Sequence, residues 1–162
     1  MSGSAGGNRV QRDDVSKIVA HYKHYILDKY EYAKECVITG SYNCSDKPDF
    51  GDIDLIVYLN SPHKYMPQIK QAFADFLNTF SDEIIVPFKS EKYKGKKYLN
   101  TGEIITVLYH NPWHKGEFVQ IDNIIACSPE ELEFKNKFLS IPAIKQGLML
   151  GLIKCAILEV VS

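Results

Sequence analysis

No charge of either sign dominates this sequence: 19 Lys plus Arg stand against 20 Asp plus Glu in 162 residues, for a formal net charge of -1. A positive coat over the whole surface, of the kind a general nucleic-acid binder uses, is therefore excluded, although a local basic patch is not. Cysteine is scarce and scattered. Cys36, Cys44, Cys127 and Cys155 lack the paired short spacings of a zinc site. Their usage points to a cytoplasmic protein, and Cys36 and Cys127 fall in apolar runs where a free thiol behaves as a small hydrophobe. No charged-then-apolar leader opens the chain, so the sequence predicts no secretion signal. Long hydrophobic runs are missing too. The most apolar stretch, 147–161, is broken by Lys154 and Glu159 and is short for a bilayer, so no membrane partner is expected. What is present, 45% hydrophobic and 12% aromatic residues, is too apolar for a disordered chain. A chain of this length predicts one domain that buries roughly two-thirds of its unfolded surface.

Residues 1–8 are rich in Gly and Ser and read as a flexible leader, with 9–162 as a single domain. Val15, Ile18, Val19, Tyr22 and Ile26 recur at helical spacing and predict a long amphipathic helix from Val10 to about Lys34. Cys36 to Thr39 reads as a short strand that enters a tight turn at Gly40-Ser41, and Tyr42 to Phe50 as a loop. From Asp52 to Asn60 the pattern alternates, with Asp52, Asp54, Ile56 and Tyr58 on one face and Ile53, Leu55, Val57 and Leu59 on the other. Ile69, Phe73, Phe76, Leu77 and Phe80 suggest a second helix. Glu83 to Lys89, Glu103 to His110 and Glu117 to Ala126 read as strands joined by turns at Gly95, Gly102 and Gly116. Ser128-Pro129-Glu130-Glu131 is a helix start, with Ser128 as cap and Glu131 completing a capping box. From Ser140-Ile141-Pro142 the chain reads as helical to its end. That last helix is apolar on several sides and needs cover, either within this domain or from further chain beyond it. No internal repeat is visible.

The chemistry concentrates near residue 50. Two residues apart on a strand, Asp52 and Asp54 project from one face with Cα atoms about 7 Å apart, so their side chains can converge. Two carboxylates about 5 Å apart at an effective dielectric of ~20 repel by roughly 3 kcal/mol. A structural role gives no reason to accept that cost on an apolar strand, whereas a divalent cation reverses its sign. Ligation by aspartate oxygens alone favours Mg²⁺ or Mn²⁺ over zinc. Asp122 repeats the anomaly in the apolar run 118–125, where desolvation and β-propensity both disfavour it. If its strand lies beside that of Asp52 and Asp54, three carboxylates can hold two metals about 4 Å apart, an arrangement suited to phosphoryl transfer.

With Gly40-Ser41, a ten-residue loop, Asp52-Ile53-Asp54-Leu55 and the later Asp122, the sequence resembles the polymerase-β-like nucleotidyltransferase superfamily. Gly51-Asp52-Ile53-Asp54-Leu55-Ile56 is closest in flavour to the palm of family X DNA polymerases. The resemblance covers about Val37 to Ala126. It implies an α+β fold with a mixed sheet flanked by helices, two Mg²⁺ ions (Mn²⁺ substituting), and transfer of a nucleoside monophosphate from an NTP or dNTP to a hydroxyl. On this likeness Asp52 and Asp54 bridge both metals, and Asp122 binds the metal beside the acceptor and can take its proton. Gly40 would let the backbone approach the β- and γ-phosphates and Ser41 would donate to them. Many relatives carry an arginine soon after Gly-Ser. Here the chain reads Tyr42-Asn43-Cys44-Ser45, and Lys47 is the nearest cation available to the triphosphate.

Lys89, Lys92, Lys94, Lys96 and Lys97, interleaved with Tyr93 and Tyr98, read either as a basic hairpin for nucleic acid or as a solvated turn guarding a strand edge. The acceptor expected from this cluster and the motif is a nucleic-acid 3′ end. The alternatives are a minimal nucleotidyltransferase acting on a protein or small molecule, and a degenerate relative that binds nucleotide or nucleic acid without chemistry. His110-Asn111-Pro112-Trp113-His114 reads as a turn with a partly covered Trp113 rather than a metal site, and His21 and His24 are expected to face solvent. Oligomeric state is left open by the sequence.

Overall fold

The computed structural model describes residues 6–142. In chain order these form β1 (Val10–Gln11), α1 (Arg12–Tyr25), β2 (Ala33–Thr39), α2 (Ser41–Cys44), β3 (Asp49–Phe50), β4 (Ile53–Leu59), α3 (Met66–Leu77), β5 (Ile85–Val86), β6 (Leu99–Thr101), β7 (Ile104–His110), β8 (Phe118–Ala126) and α4 (Pro129–Leu139). Five strands are hydrogen-bonded in the order β2-β4-β8-β7-β5, and β6 shares the outer edge of β7 with β5. Only β4 and β8 run parallel; the other pairings in this sheet are antiparallel. The expected α+β architecture, a mixed sheet flanked by helices, is the one the chain adopts.

Alternation on the central strands decides where the helices go. Ile53, Leu55, Val57 and Leu59 of β4 join Ile105, Val107, Tyr109, Val119, Ile121 and Ile125 in the main core, beneath Val15, Ile18 and Tyr22 of α1 and Ile69, Phe73 and Leu77 of α3. On the opposite face Ile56, Ile124 and Ala126 pack under Leu132 of α4, with Tyr58 at the margin. Leu139 also packs on this face, and Ser140 at the end of α4 lies 3.3 Å from Thr39 Oγ1 on β2. Lys70 is buried on α3 and donates to the Gly102 carbonyl, tying α3 to the turn between β6 and β7.

Several elements differ from the sequence expectation. Instead of running to Lys34, α1 stops at Tyr25, because Ala33–Thr39 pairs with β4 over seven residues and Tyr30 stacks on Phe76 of α3. Residues favourable to a helix are thus taken by tertiary pairing. The strand expected over 83–89 shrinks to Ile85–Val86, since Pro87 has no N–H for the ladder. Residues 42–50 contain the short helix α2 and the strand β3, which pairs with β1. Strand β6 has one apolar residue and carries no periodic signal. Gly7 and Asn8, expected in the flexible leader, pack on β8: Asn8 N–H donates to the Phe118 carbonyl at 2.8 Å, and Gly7 lies where a Cβ would be 2.8 Å from the Gln120 nitrogen. Ser128 caps α4 by accepting from Glu131 N–H at 3.0 Å, while the Glu131 carboxylate accepts from Cys127 N–H, one residue earlier than in a standard capping box. Cys36 is half-buried, and its thiol is pushed up to about 11 chiefly by burial; Cys127 lies exposed just past β8 rather than packed. The closing apolar helix, with Cys155, lies outside the described residues. Among those described, no helix is long and apolar enough to cross a membrane.

Candidate active site

Parallel pairing places Asp54 of β4 directly beside Asp122 of β8. Antiparallel pairing adds Thr39 on the far side of Asp54 and Thr106 on the far side of Asp122. Cross-strand partners share a face, so Thr39, Asp54, Asp122 and Thr106 form one row across four strands. Asp52 sits one residue before β4 and reaches the same point. A carboxylate oxygen from each of Asp52, Asp54 and Asp122 lies within 4.8 Å of the others. The juxtaposition depends on register, because a slip of one residue in β8 would turn Asp122 to the opposite face. Asn123 helps hold that register. It is fully buried, accepts from the Tyr22 hydroxyl at 2.9 Å and donates to the Ile105 carbonyl at 2.9 Å.

The carboxylates crowd one another in a partly dry place. Burial first, then the neighbouring Asp122, push the Asp52 carboxyl up to about 6. Asp54 is pushed up to about 7 by burial and by the charges of Asp52 and Asp122. Lys47 and Arg9 act on Asp52 in the opposite sense. Asp122 is held by two donors on the same oxygen: Thr106 Oγ1 at 2.7 Å and Gln120 Nε2 at 3.2 Å both reach Oδ1. Three converging carboxylates fit a cation, and an all-oxygen set suits a hard one.

Gly40 and Ser41 close the β2 side. Gly40 has φ of 76°, and a Cβ there would lie 2.5 Å from Asp54 Oδ2. Glycine is required at this position by the carboxylate it flanks. Ser41, Thr39, Asp52 and Asp54 line one small void. Asn43 clasps the turn by donating to the Ile38 carbonyl at 3.0 Å and to Ser140 Oγ at 2.9 Å at the end of α4.

Arg12 escaped the sequence reading, which looked for an arginine after Gly-Ser. From the start of α1 it donates to the carbonyls of Tyr42, Ser45 and Lys47 at 3.1, 2.6 and 2.8 Å, and its guanidinium lies 5.0 Å from the centres of the Tyr42 and Phe50 rings. It therefore shapes the loop between the glycine turn and Asp52, and leaves exposed Lys47 at that loop's rim. No local signal marked it, because its partners are backbone carbonyls thirty or more residues away.

The lysine segment folds as a loop closed on Phe88, whose N–H donates to the Lys96 carbonyl at 2.8 Å and whose carbonyl accepts from Gly95 at 3.0 Å. Its members separate. Lys97 pairs with Asp82 at 3.1 Å and donates to the Phe80 carbonyl, Lys92 lies over the Tyr93 ring, and Lys96 borders a shallow hollow with Tyr93 and Tyr98. Lys94 and Lys89 border a much larger cavity near the β7–β8 turn. His21 does not face solvent as expected: it is half-buried, with Nδ1 at 2.5 Å from the Tyr109 hydroxyl, and burial lowers its pKa. His24 is exposed, and Trp113 is 46% exposed. Compared with known proteins, the sequence matches no family model and no curated protein.

Proposed function

We propose that the protein is a metal-dependent nucleotidyltransferase, moving a nucleoside monophosphate from an NTP or dNTP to an acceptor hydroxyl and releasing pyrophosphate. The observation that carries this reading is the meeting of Asp52 and Asp54 with Asp122, from a strand far along the sequence, within 4.8 Å, beside a glycine turn that could not bear a side chain.

Asp52, Asp54 and Asp122 would hold Mg²⁺, two ions in the fullest form of the reading, with Mn²⁺ as substitute. When bound, the ion supplies positive charge against the phosphates and eases deprotonation of the acceptor. The protein's own groups do the rest. Ser41 and the backbone of Gly40 border the triphosphate side, with Lys47 reaching in from the loop rim. The acceptor oxygen attacks the α-phosphorus in line, the bond from that phosphorus to the bridging oxygen breaks, and pyrophosphate leaves. The proton passes to the Asp122 oxygen not engaged by Thr106 and Gln120. Those two donors keep Asp122 oriented throughout.

The test is a panel of α-labelled NTPs and dNTPs with Mg²⁺ or Mn²⁺, offered an oligonucleotide, a protein or no acceptor. The expected result is metal-dependent pyrophosphate release with label transfer, abolished in Asp54→Asn. Absence of release from every donor under both metals overturns the reading and leaves a binding module.

A further inference from the structure

Nucleotidyl transfer at the aspartates leaves unused a large cavity elsewhere among the described residues. Its volume is about 1320 Å³, and it opens between the segment following β5 and the turn joining β7 to β8. Phe88, Lys89, Lys94, Trp113, Lys115 and Phe118 are among the residues that line it. Small-molecule sites are usually about 300–1,000 Å³, so this one has room for more than a single nucleotide-sized acceptor.

Its position relative to the aspartates is set by the sheet. Gly40-Ser41 follows β2 at one edge, Asp54 and Asp122 occupy the next two strands, and the cavity lies at the other edge, beyond β7. In-line displacement needs the attacking and leaving oxygens on opposite sides of the phosphorus. With the triphosphate toward the glycine turn, the acceptor approaches from the cavity side. Phe118 and Asp122 are four residues apart on β8 and so share a face, a span of about 13 Å.

The lining chemistry suits alternating bases and phosphates. The Lys89 ammonium lies 5.0 Å from the centre of the Phe118 ring, and the Lys17 ammonium 4.8 Å from that of Trp113, so cations and aromatic surfaces stand side by side. Carboxylates line the cavity too, but Asp82 is paired with Lys97 at 3.1 Å. Glu83 and Glu117 then stand against the three lysines Lys89, Lys94 and Lys115. Phe118 is half-buried against Val86, Phe88 and Leu108, whereas the Trp113 ring is open and can stack on a splayed base but finds none in a closed duplex.

We propose that this cavity binds a single-stranded stretch of an acceptor nucleic acid, with a base on the exposed Trp113 ring and phosphates at Lys89, Lys94 and Lys115, upstream of the reacting end. Its role as acceptor site rests on the nucleotidyl-transfer reading; strand binding itself does not.

Trp113 is the only tryptophan, so its fluorescence reports on this cavity alone. The full chain, without metal or NTP, is titrated with a single-stranded oligonucleotide of about twelve nucleotides and with its duplex over a range of salt. Expected are a change in Trp113 fluorescence, preference for the single strand, and a slope of log affinity on log salt near about -2, from three phosphates at about 0.7 each. Replacing Lys89, Lys94 and Lys115 together by Gln is expected to flatten that slope, and Trp113→Leu to weaken binding of a labelled strand about tenfold. No fluorescence change, equal binding of the duplex, or an unaltered slope in the triple variant overturns the proposal. Asp54→Asn is expected to bind the strand as the parent does. Strand binding without pyrophosphate release from any donor would remove the transfer reading, and with it the acceptor role. Release with a protein or small acceptor while Trp113 stays silent to strands would remove the cavity proposal alone.

Discussion

The cost of crowding three carboxylates can be measured without knowing the substrate. Asp54 is raised from an ordinary 3.8 to about 7 by burial and by its two neighbours. Below about pH 4 it is protonated in folded and unfolded chains alike and contributes nothing. As the pH rises from about 4 to about 7, the unfolded chain gives up the proton while the folded protein keeps it, so stability falls. Above about 7 the loss is complete and amounts to at most about 4 kcal/mol, a sizeable part of a domain's total. His21 and His110 act in the opposite sense, because burial lowers both and their charging on acidification destabilises the fold. The informative quantity is therefore the difference between the parent and Asp54→Asn, in which the histidine contributions cancel. Urea unfolding followed by circular dichroism should find the variant more stable by about 2–4 kcal/mol near pH 7.5, with the gap closing toward pH 4. Mg²⁺ should raise the parent's midpoint at pH 7.5 and leave the variant's nearly unmoved. A variant no more stable than the parent, or a gap indifferent to pH, would refute the account of mutual repulsion at a shared site.

Two further outcomes follow from the same geometry. Thr106→Val keeps the shape of the side chain but removes the hydroxyl that holds Asp122 Oδ1 at 2.7 Å; Mn²⁺ affinity measured by paramagnetic resonance should fall about tenfold, with unfolding free energy changed by less than about 1 kcal/mol. Gly40→Ala meets both a positive φ and an Asp54 oxygen 2.5 Å from the new Cβ; urea unfolding should register a loss of about 2–3 kcal/mol, and Mn²⁺ binding should weaken with it as Asp54 is displaced.

Much of the site was legible because strand alternation is a local rule. Asp52-Ile53-Asp54 announces two acids on one face, and Asp122 amid Phe118–Ala126 announces a carboxylate where burial should forbid one. Gly40 was legible as a turn, though its tightest constraint is Asp54 rather than a phosphate. Other features had no local trace. Arg12 acts through carbonyls across the loop, and Thr106 and Gln120 become relevant only once β7 and β8 lie beside each other.

The sequence by itself determined which residues carry charge, which strands have two unlike faces, and hence that three aspartates stand out from apolar surroundings. Only the tertiary structure decided that they meet. Parallel pairing of β4 with β8 sets Asp54 beside Asp122, and Asn123, bonded to Tyr22 and Ile105, secures that register. Side-chain alternation is written into each strand, but which strands become neighbours, and in what alignment, depends on the burial of one face of the sheet by α1 and α3 and of the other by α4.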